Sequence, residues 1–405
     1  MLQISQKYPK NTTKLFIIFC AGSLTSMTGG LISPVFPEML QQLQLEPRWA
    51  GMLVSMHALT IALFTPLLGI LADRIGKVKV LITSLVLYGF FGVIGGFMVS
   101  LAPILATRGC LGIASGGISA ASIGLLSNMY EGEARSRLFG YATSAMTTAG
   151  IAAPLVGGWV GSIHWQYVFY IYGLALPIAL ATVLMWNKER FPNKAVINRT
   201  MGKQLVAIVQ QSSVIKLFLT LALAATVVYA VVIYIPIHLK IMLGAGPQLN
   251  GTVLAFPGLG IILISALVAS RLGKFLGTYK AIALGFLLMA LMLMILPLLR
   301  QIHWILPAAF VFGAGFGIAT PNIYDALAKL APPEQRSSVI AIGTGFNSLG
   351  QFCSPIFLGA VWKYTELITV FYVAAGIAVV TGVLMLLSSK GGDAGRTRRG
   401  DAERN

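Results

Sequence analysis

Charge is the first thing in short supply. Only 10% of the 405 residues are Asp, Glu, Lys or Arg, against about a quarter in soluble domains. With 57% of the chain hydrophobic, a water-soluble fold has too little polar surface to cover it, so the solvent must be largely lipid. Acids are scarcer than bases, 12 against 29, which leaves a formal charge of +17. In a soluble chain that excess would point to nucleic acid. Here it reads as the Lys and Arg that membrane proteins gather in cytoplasmic loops, and no nucleic-acid partner is expected. Cysteine is scarce as well: Cys20, Cys110 and Cys353 all fall inside apolar runs and read as small apolar residues rather than a disulfide or metal site. No His/Cys/Asp cluster has metal-ligand spacing, no nucleotide loop or nucleophile motif occurs, and no soluble domain exceeds a short central loop. These gaps argue against an enzyme or a membrane sensor, and no metal or cofactor is expected.

What the chain has in quantity is apolar runs of about 20 residues, the length needed to cross a bilayer. Six lie near Leu15–Phe36, Ala50–Leu71, Val80–Val99, Pro103–Leu126, Leu138–Val160 and Trp165–Met185. Six more lie near Val214–Ile237, Gly251–Ser270, Ala281–Leu299, Trp304–Leu327, Val339–Trp362 and Ile368–Leu387. The predicted organisation is an N-terminal arm (1–14), a six-helix bundle (15–185), a central loop (186–212), a second six-helix bundle (213–387) and a disordered tail (388–405). With the N-terminus in the cytoplasm, 24 of the 29 Lys and Arg fall inside and four outside, and Arg108 alone lies within a span. That asymmetry puts both termini in the cytoplasm.

The halves repeat at an offset near 201 residues. Leu71 and Gly76 match Leu272 and Gly277, Gly112 and Gly116 match Gly313 and Gly317, and Pro154 and Gly158 match Pro355 and Gly359. Glu133, Arg135 and Ser136 match Glu334, Arg336 and Ser337. Matched turns, arginines and prolines in one register are hard to ascribe to chance. Two halves of six spans each form a parallel repeat, the arrangement in which transporters hold a small molecule near the midplane and expose it alternately to either side. One chain carries both halves, so a monomer suffices.

The loop between spans two and three reads Gly69-Ile-Leu-Ala-Asp73-Arg74-Ile-Gly76-Lys77. It resembles the signature G-x-L-a-D-r-x-G-r-k of the major facilitator superfamily, and the likeness extends over the chain up to the tail. Gly76 permits a tight turn, Asp73 can accept from a helix N-terminus, and Arg74 and Lys77 can pair with acids such as Glu131 or Glu133. A gating role follows from the resemblance. The second copy has Lys274 at the aspartate position. Span four carries Arg108-Gly-Cys-Leu-Gly112, similar to the R-x-x-q-G motif of the twelve-span drug:proton antiporter branch, with Leu111 for glutamine. Span five carries Ala153-Pro154-Leu-Val-Gly157-Gly158, similar to that branch's G-P-x-x-G-G, with Ala153 for its first glycine. Proline kinks the helix and the paired glycines allow close packing.

The resemblance implies an all-α membrane fold of twelve helices in two bundles related by a pseudo-two-fold axis. It also implies export of small amphipathic compounds by alternating access, multidrug efflux from the inner membrane with protons as coupling ion. Import or facilitated passage of a defined metabolite, such as a sugar, is the alternative. Candidates for the substrate cavity are Thr25, Met27, Ser119, Tyr229, Tyr234, Asn322, Asn347 and Gln351. Coupling is less legible, because span one has no carboxylate. The intramembrane candidates are Arg108, His57 and Asp325. Arg108 costs about 2.5–3.5 kcal/mol to insert. It could snorkel to the outer interface, hold helix-one carbonyls near Pro34, or tune a titrating neighbour. His57 has an ordinary pKa near 6.5, and Asp325 is placed to pair with Lys329.

Overall fold

The computed structural model describes residues 12–46, 49, 51–130, 132–186, 199–333 and 335–402, with side chains described except at 132, 133, 136, 199–203 and 390–402. Several expectations fall outside: the arm 1–11, Arg48, Glu131 and the Glu133 side chain, residues 187–198 of the central loop, and the side chains of the tail from 390.

The chain separates into two compact units, Met1–Val196 with Gly244–Ala255, and Ile197–Leu243 with Phe256–Asn405. In the first unit α1 (Thr12–Gly30) is followed by a 3-10 turn (Ser33–Val35) and α2 (Phe36–Gln42). Then come α3 (Met52–Ile75), α4 (Lys77–Gly95), α5 (Leu101–Met129) and α6 (Gly132–Gly161). The unit's last span is built from α7 (Tyr167–Tyr170), a 3-10 turn (Ile171–Leu174) and α8 (Ala175–Trp186). In the second unit α9 (Arg199–Val209) precedes α10 (Ser212–Leu243). Next, α11 (Pro247–Ile264), whose residues up to Ala255 group with the first unit, runs through a π turn (Ser265–Ala269) into α12 (Ser270–Leu276). The remainder are α13 (Thr278–Ile295), α14 (Ile302–Leu330), α15 (Arg336–Tyr364) and α16 (Leu367–Ala402). The central stretch, read from sequence as loop, thus holds α9, tied to the turn before α15 by Gln335 Nε2 donating to Gln204 Oε1 at 3.1 Å.

Helix is what lipid dictates, since every backbone donor must find its acceptor within the segment. Among the described residues no strand occurs, and ten helices are long and apolar enough to cross a membrane. Two more, α6 and α15, have the length, at 30 and 29 residues, but are richer in hydroxyl and amide side chains. The first span outruns its expected end at Phe36 and reaches Gln42.

The sequence repeat is visible inside each unit. Gly76 joins α3 to α4 at φ +106°, and Gly277 joins α12 to α13 at φ +88°. That left-handed region penalises any side chain. Gly112 of α5 lies against the His57 carbonyl of α3, and its repeat partner Gly313 of α14 lies against the Pro257 carbonyl of α11. A Cβ at Gly112 would overlap both that carbonyl and Thr60 Oγ1. Gly112→Ala is therefore expected to lose about 1–3 kcal/mol of stability, read as a lowered melting temperature in detergent. Unchanged melting would mean that α3 can slide away from α5 at no cost.

Candidate functional site

The site begins where the first helix stops. After Gly30 the α-helical ladder gives way to a turn, so carbonyls in its last turn lose their intrahelical donors. The Thr28 carbonyl accepts from Arg108 Nη2 at 2.9 Å and from the Tyr172 hydroxyl at 2.7 Å. Arg108 also donates from Nε to the Leu53 carbonyl at 3.1 Å and from Nη1 to the Tyr172 hydroxyl at 3.0 Å. One turn earlier, Tyr88 donates to the Leu24 carbonyl at 2.7 Å and meets Thr28 Oγ1 at 3.0 Å. The two tyrosines pack edge to face, ring centres 5.6 Å apart.

Arg108 is 1% exposed and is the one buried Lys, Arg, Asp or Glu among the described residues. Snorkelling to the interface is thereby ruled out for this arrangement. The arginine holds helix-one carbonyls at Thr28, ahead of the Pro34 neighbourhood that the sequence suggested. No carboxylate is among its hydrogen-bond partners; its charge is met by carbonyl dipoles, a phenol, and the negative end of the α1 dipole. His57 Nδ1 lies 3.4 Å from Arg108 Nη2. A guanidinium offers only donors, so a hydrogen bond between the two requires the tautomer with Nδ1 unprotonated.

The loop motif lies at the other end of α3. Asp73 Oδ1 pairs with Lys77 Nζ at 3.1 Å, and that amine also donates to Asn128 Oδ1 at 3.2 Å. Gly69 packs toward Ala120 of α5, and Gly124 makes room for the Lys77 stem. In the proline motif, Gly157 of α6 sits on the Leu31 carbonyl and Gly158 on the Pro247 carbonyl. Ala153 and Pro154 face Gly30, so the methyl at position 153, where the branch has glycine, is accommodated by a glycine on α1. In the same unit, fully buried Asn250 donates to the Pro34 carbonyl at 3.2 Å.

The cavity candidates scatter. Thr25, Met27 and Ser119 are half-buried in the first unit, and Thr25 donates to the Gly22 carbonyl. In the second unit Asn322 is 5% exposed and donates to the Ala269 and Ile318 carbonyls, so it serves the π turn. Tyr234 is 1% exposed, its ring against Trp362. Tyr229 is half-buried. Asn347 and Gln351 come together, Nε2 of Gln351 donating to Oδ1 of Asn347 at 2.8 Å. Asp325 pairs with Lys329 on an exposed surface.

Sequence reasoning missed Thr28 and Tyr172, which bond Arg108, and Tyr88, which packs against both; they come from three separate elements with no shared motif. It also missed His238, 3% exposed within α10, with Nε2 3.1 Å from the Pro297 carbonyl and its ring against Phe371. The expected span stopped one residue short of it.

Comparison with known proteins follows the same lines. The profile described as Major Facilitator Superfamily matches residues 18–355 and 217–404. The quinolone resistance protein NorA of Staphylococcus aureus (strain COL) is 20% identical over 378 residues, 93% of this chain and 97% of that protein. The class B tetracycline resistance protein of Escherichia coli is 23% identical over 366 residues, covering 88% and 89%. Among solved structures, a bacterial homologue of the human lysosomal transporter Spinster, inward-facing and occupied, has a TM-score of 0.74 at 17% identity, covering 94% and 96%. The nucleoside transporter NupG has a TM-score of 0.76 at 16% identity, covering 93% and 99%.

Proposed function

The chain belongs to the Major Facilitator Superfamily, and from that premise we propose that it exports small amphipathic compounds by alternating access, driven by inward proton flow. Relatives named for quinolone and tetracycline resistance along most of their length support the export reading. The protein is a multi-pass membrane transporter; we place it in the inner membrane with both termini cytoplasmic, on the distribution of its Lys and Arg. Asp73, Arg74, Gly76 and Lys77 form the cytoplasmic gate, and Pro154, Gly157 and Gly158 set the bend and close packing of α6.

The observation that carries proton coupling is the 3.4 Å approach of His57 Nδ1 to Arg108 Nη2. A proton on Nδ1 removes the acceptor and sets two cations side by side. At that distance their repulsion is about 5 kcal/mol with an effective dielectric near 20. Arg108 would swing off the Thr28 carbonyl, releasing the end of α1 and the carbonyl that orders its break. Protonation is thereby tied to a movement of the first helix. The Asp325–Lys329 pair is a surface contact in this scheme.

The test is proton flux in proteoliposomes carrying a trapped pH dye, with substrate added against a pH gradient. The wild type is expected to dissipate the gradient on substrate addition. His57→Gln keeps an acceptor for Arg108 but cannot take up a proton, so it should move substrate downhill without proton flux. A His57→Gln protein that still carries protons removes His57 as the carrier. Substrate movement without proton flux in the wild type would favour the second reading, a facilitator of a defined metabolite, which the absence of any carboxylate in span one already recommends.

A further inference from the structure

The two turns of the repeat hold their charges differently. In the first, Arg74, Lys77 and Lys79 share a short segment with Asp73, which pairs with Lys77. In the second, Arg271, Lys274 and Lys280 are all exposed, and no acid occurs anywhere from residue 190 to residue 324. The nearest acid along the chain, Asp325, is paired with Lys329. Among the described residues none of the three bases has a carboxylate partner. Lys280 also sits in the first turn of α13, where the helix dipole opposes a cation. Three like charges on a short segment repel one another, and an anion from outside the chain relieves them.

The bases have also moved. At the 201-residue offset Arg271 stands where the first copy has Ile70, and Phe275 where it has Arg74. The guanidinium is thereby carried one turn, about 6 Å, further into the span, and an aromatic ring takes its place at the turn. Arg271 lies in a shallow groove with Leu267, Val268, Leu272 and Phe275. The π turn sets that groove. Ser265 Oγ donates to the Gly317 carbonyl at 2.9 Å and Asn322 Nδ2 to the Ala269 carbonyl at 3.1 Å, which fastens one side of the turn to α14. Leu267 is left 60% exposed, and Phe275 is 86% exposed.

An apolar groove with a guanidinium partway along it and further cations at its end suits one kind of molecule. Acyl chains cover Leu267 and Phe275 but offer the guanidinium no acceptor, and a free anion meets the bases but leaves the groove open. A molecule with an acyl chain joined to a phosphate does both, and arginine matches phosphate with a planar fork of donors. We propose that the turn between α12 and α13 is a docking site for one anionic phospholipid, its phosphate held by Arg271 and Lys274 and a chain laid along Leu267 and Phe275. The phosphate supplies the negative charge that Asp73 supplies in the first copy. The site needs only that the chain spans a bilayer, so it stands or falls separately from the export reading.

The experiment titrates purified, delipidated protein in detergent with phosphatidylglycerol and, in parallel, with phosphatidylcholine of the same acyl chains, reading bound lipid by native mass spectrometry. The first phosphatidylglycerol is expected to bind at least about tenfold more tightly than phosphatidylcholine. Arg271→Gln combined with Lys274→Gln should bring that preference below about threefold, with the melting temperature unchanged because both side chains are exposed. Lys79→Gln removes an exposed base from the first turn, at the repeat position of Lys280, and should leave the preference intact. Equal binding of the two lipids overturns the proposal. So does an equal loss in Lys79→Gln, which would mark a diffuse attraction to basic turns. Phosphatidylglycerol with a photoactivatable chain should crosslink within residues 263–280, and crosslinks confined to other segments overturn the site. If glycerophosphoglycerol, the headgroup without its chains, displaces the lipid at equal concentration, the turn takes a free phosphate and the proposal fails.

Discussion

Arg108→Ala is expected to lower counterflow by about a hundredfold, roughly 2.7 kcal/mol, while the protein still inserts and purifies at wild-type yield. Removing the guanidinium leaves buried acceptors short of a donor, at about 1–3 kcal/mol each. Against this stands the relief of about 2.5–3.5 kcal/mol that insertion of an arginine costs. Thr28 also keeps the Tyr172 hydroxyl as a partner. The stability terms therefore nearly cancel, and the functional term is left exposed. Arg108→Lys should retain no more than a few per cent of the rate, because one ammonium cannot span the Leu53 and Thr28 carbonyls and Tyr172 in the geometry of a planar fork. Initial rates normalised to reconstituted protein decide the matter. Equal and mild effects of the two substitutions would show that the end of α1 does not need the clamp.

Asp73→Asn is expected to cut turnover at least tenfold with a melting temperature close to that of the wild type. The Asp73–Lys77 pair is one helical turn long, and its side chains are 43% and 21% exposed. Such a pair is worth at most about 1 kcal/mol to the fold, so little stability is at stake. A large loss of rate with little loss of stability is the signature of a residue that matters in another conformation. The second copy of the motif has Lys274 at this position and cannot substitute. Wild-type rates for Asp73→Asn, measured beside Arg74→Gln, would remove the gate assignment.

Much of the architecture is legible without coordinates because it follows from one-dimensional rules. Span length, the excess of Lys and Arg on one side, and a repeat in register each need only the order of residues. The glycine at position 76 is legible for the same reason: a turn between two helices needs a left-handed residue there, and its repeat partner Gly277 meets the same need. The arginine of span four stands out by its insertion cost alone. Its purpose does not, since depth within a span leaves interface and interior equally open.

What the sequence determined by itself is the class of protein: a membrane chain of repeated helical halves, with its Lys and Arg gathered in alternate loops and a turn motif in the first half. These are local or additive properties, set by hydropathy, charge and backbone freedom at each position. Only the tertiary structure decided what Arg108 does. Its partners Thr28, Leu53, His57 and Tyr172 lie on α1, α3 and the last span of the first unit, up to 80 residues away along the chain. Their convergence depends on where α1 breaks and on glycine contacts that let α3 and α5 approach backbone to backbone. Hydrogen bonds are directional and short, so which donor meets which carbonyl is fixed by packing in three dimensions.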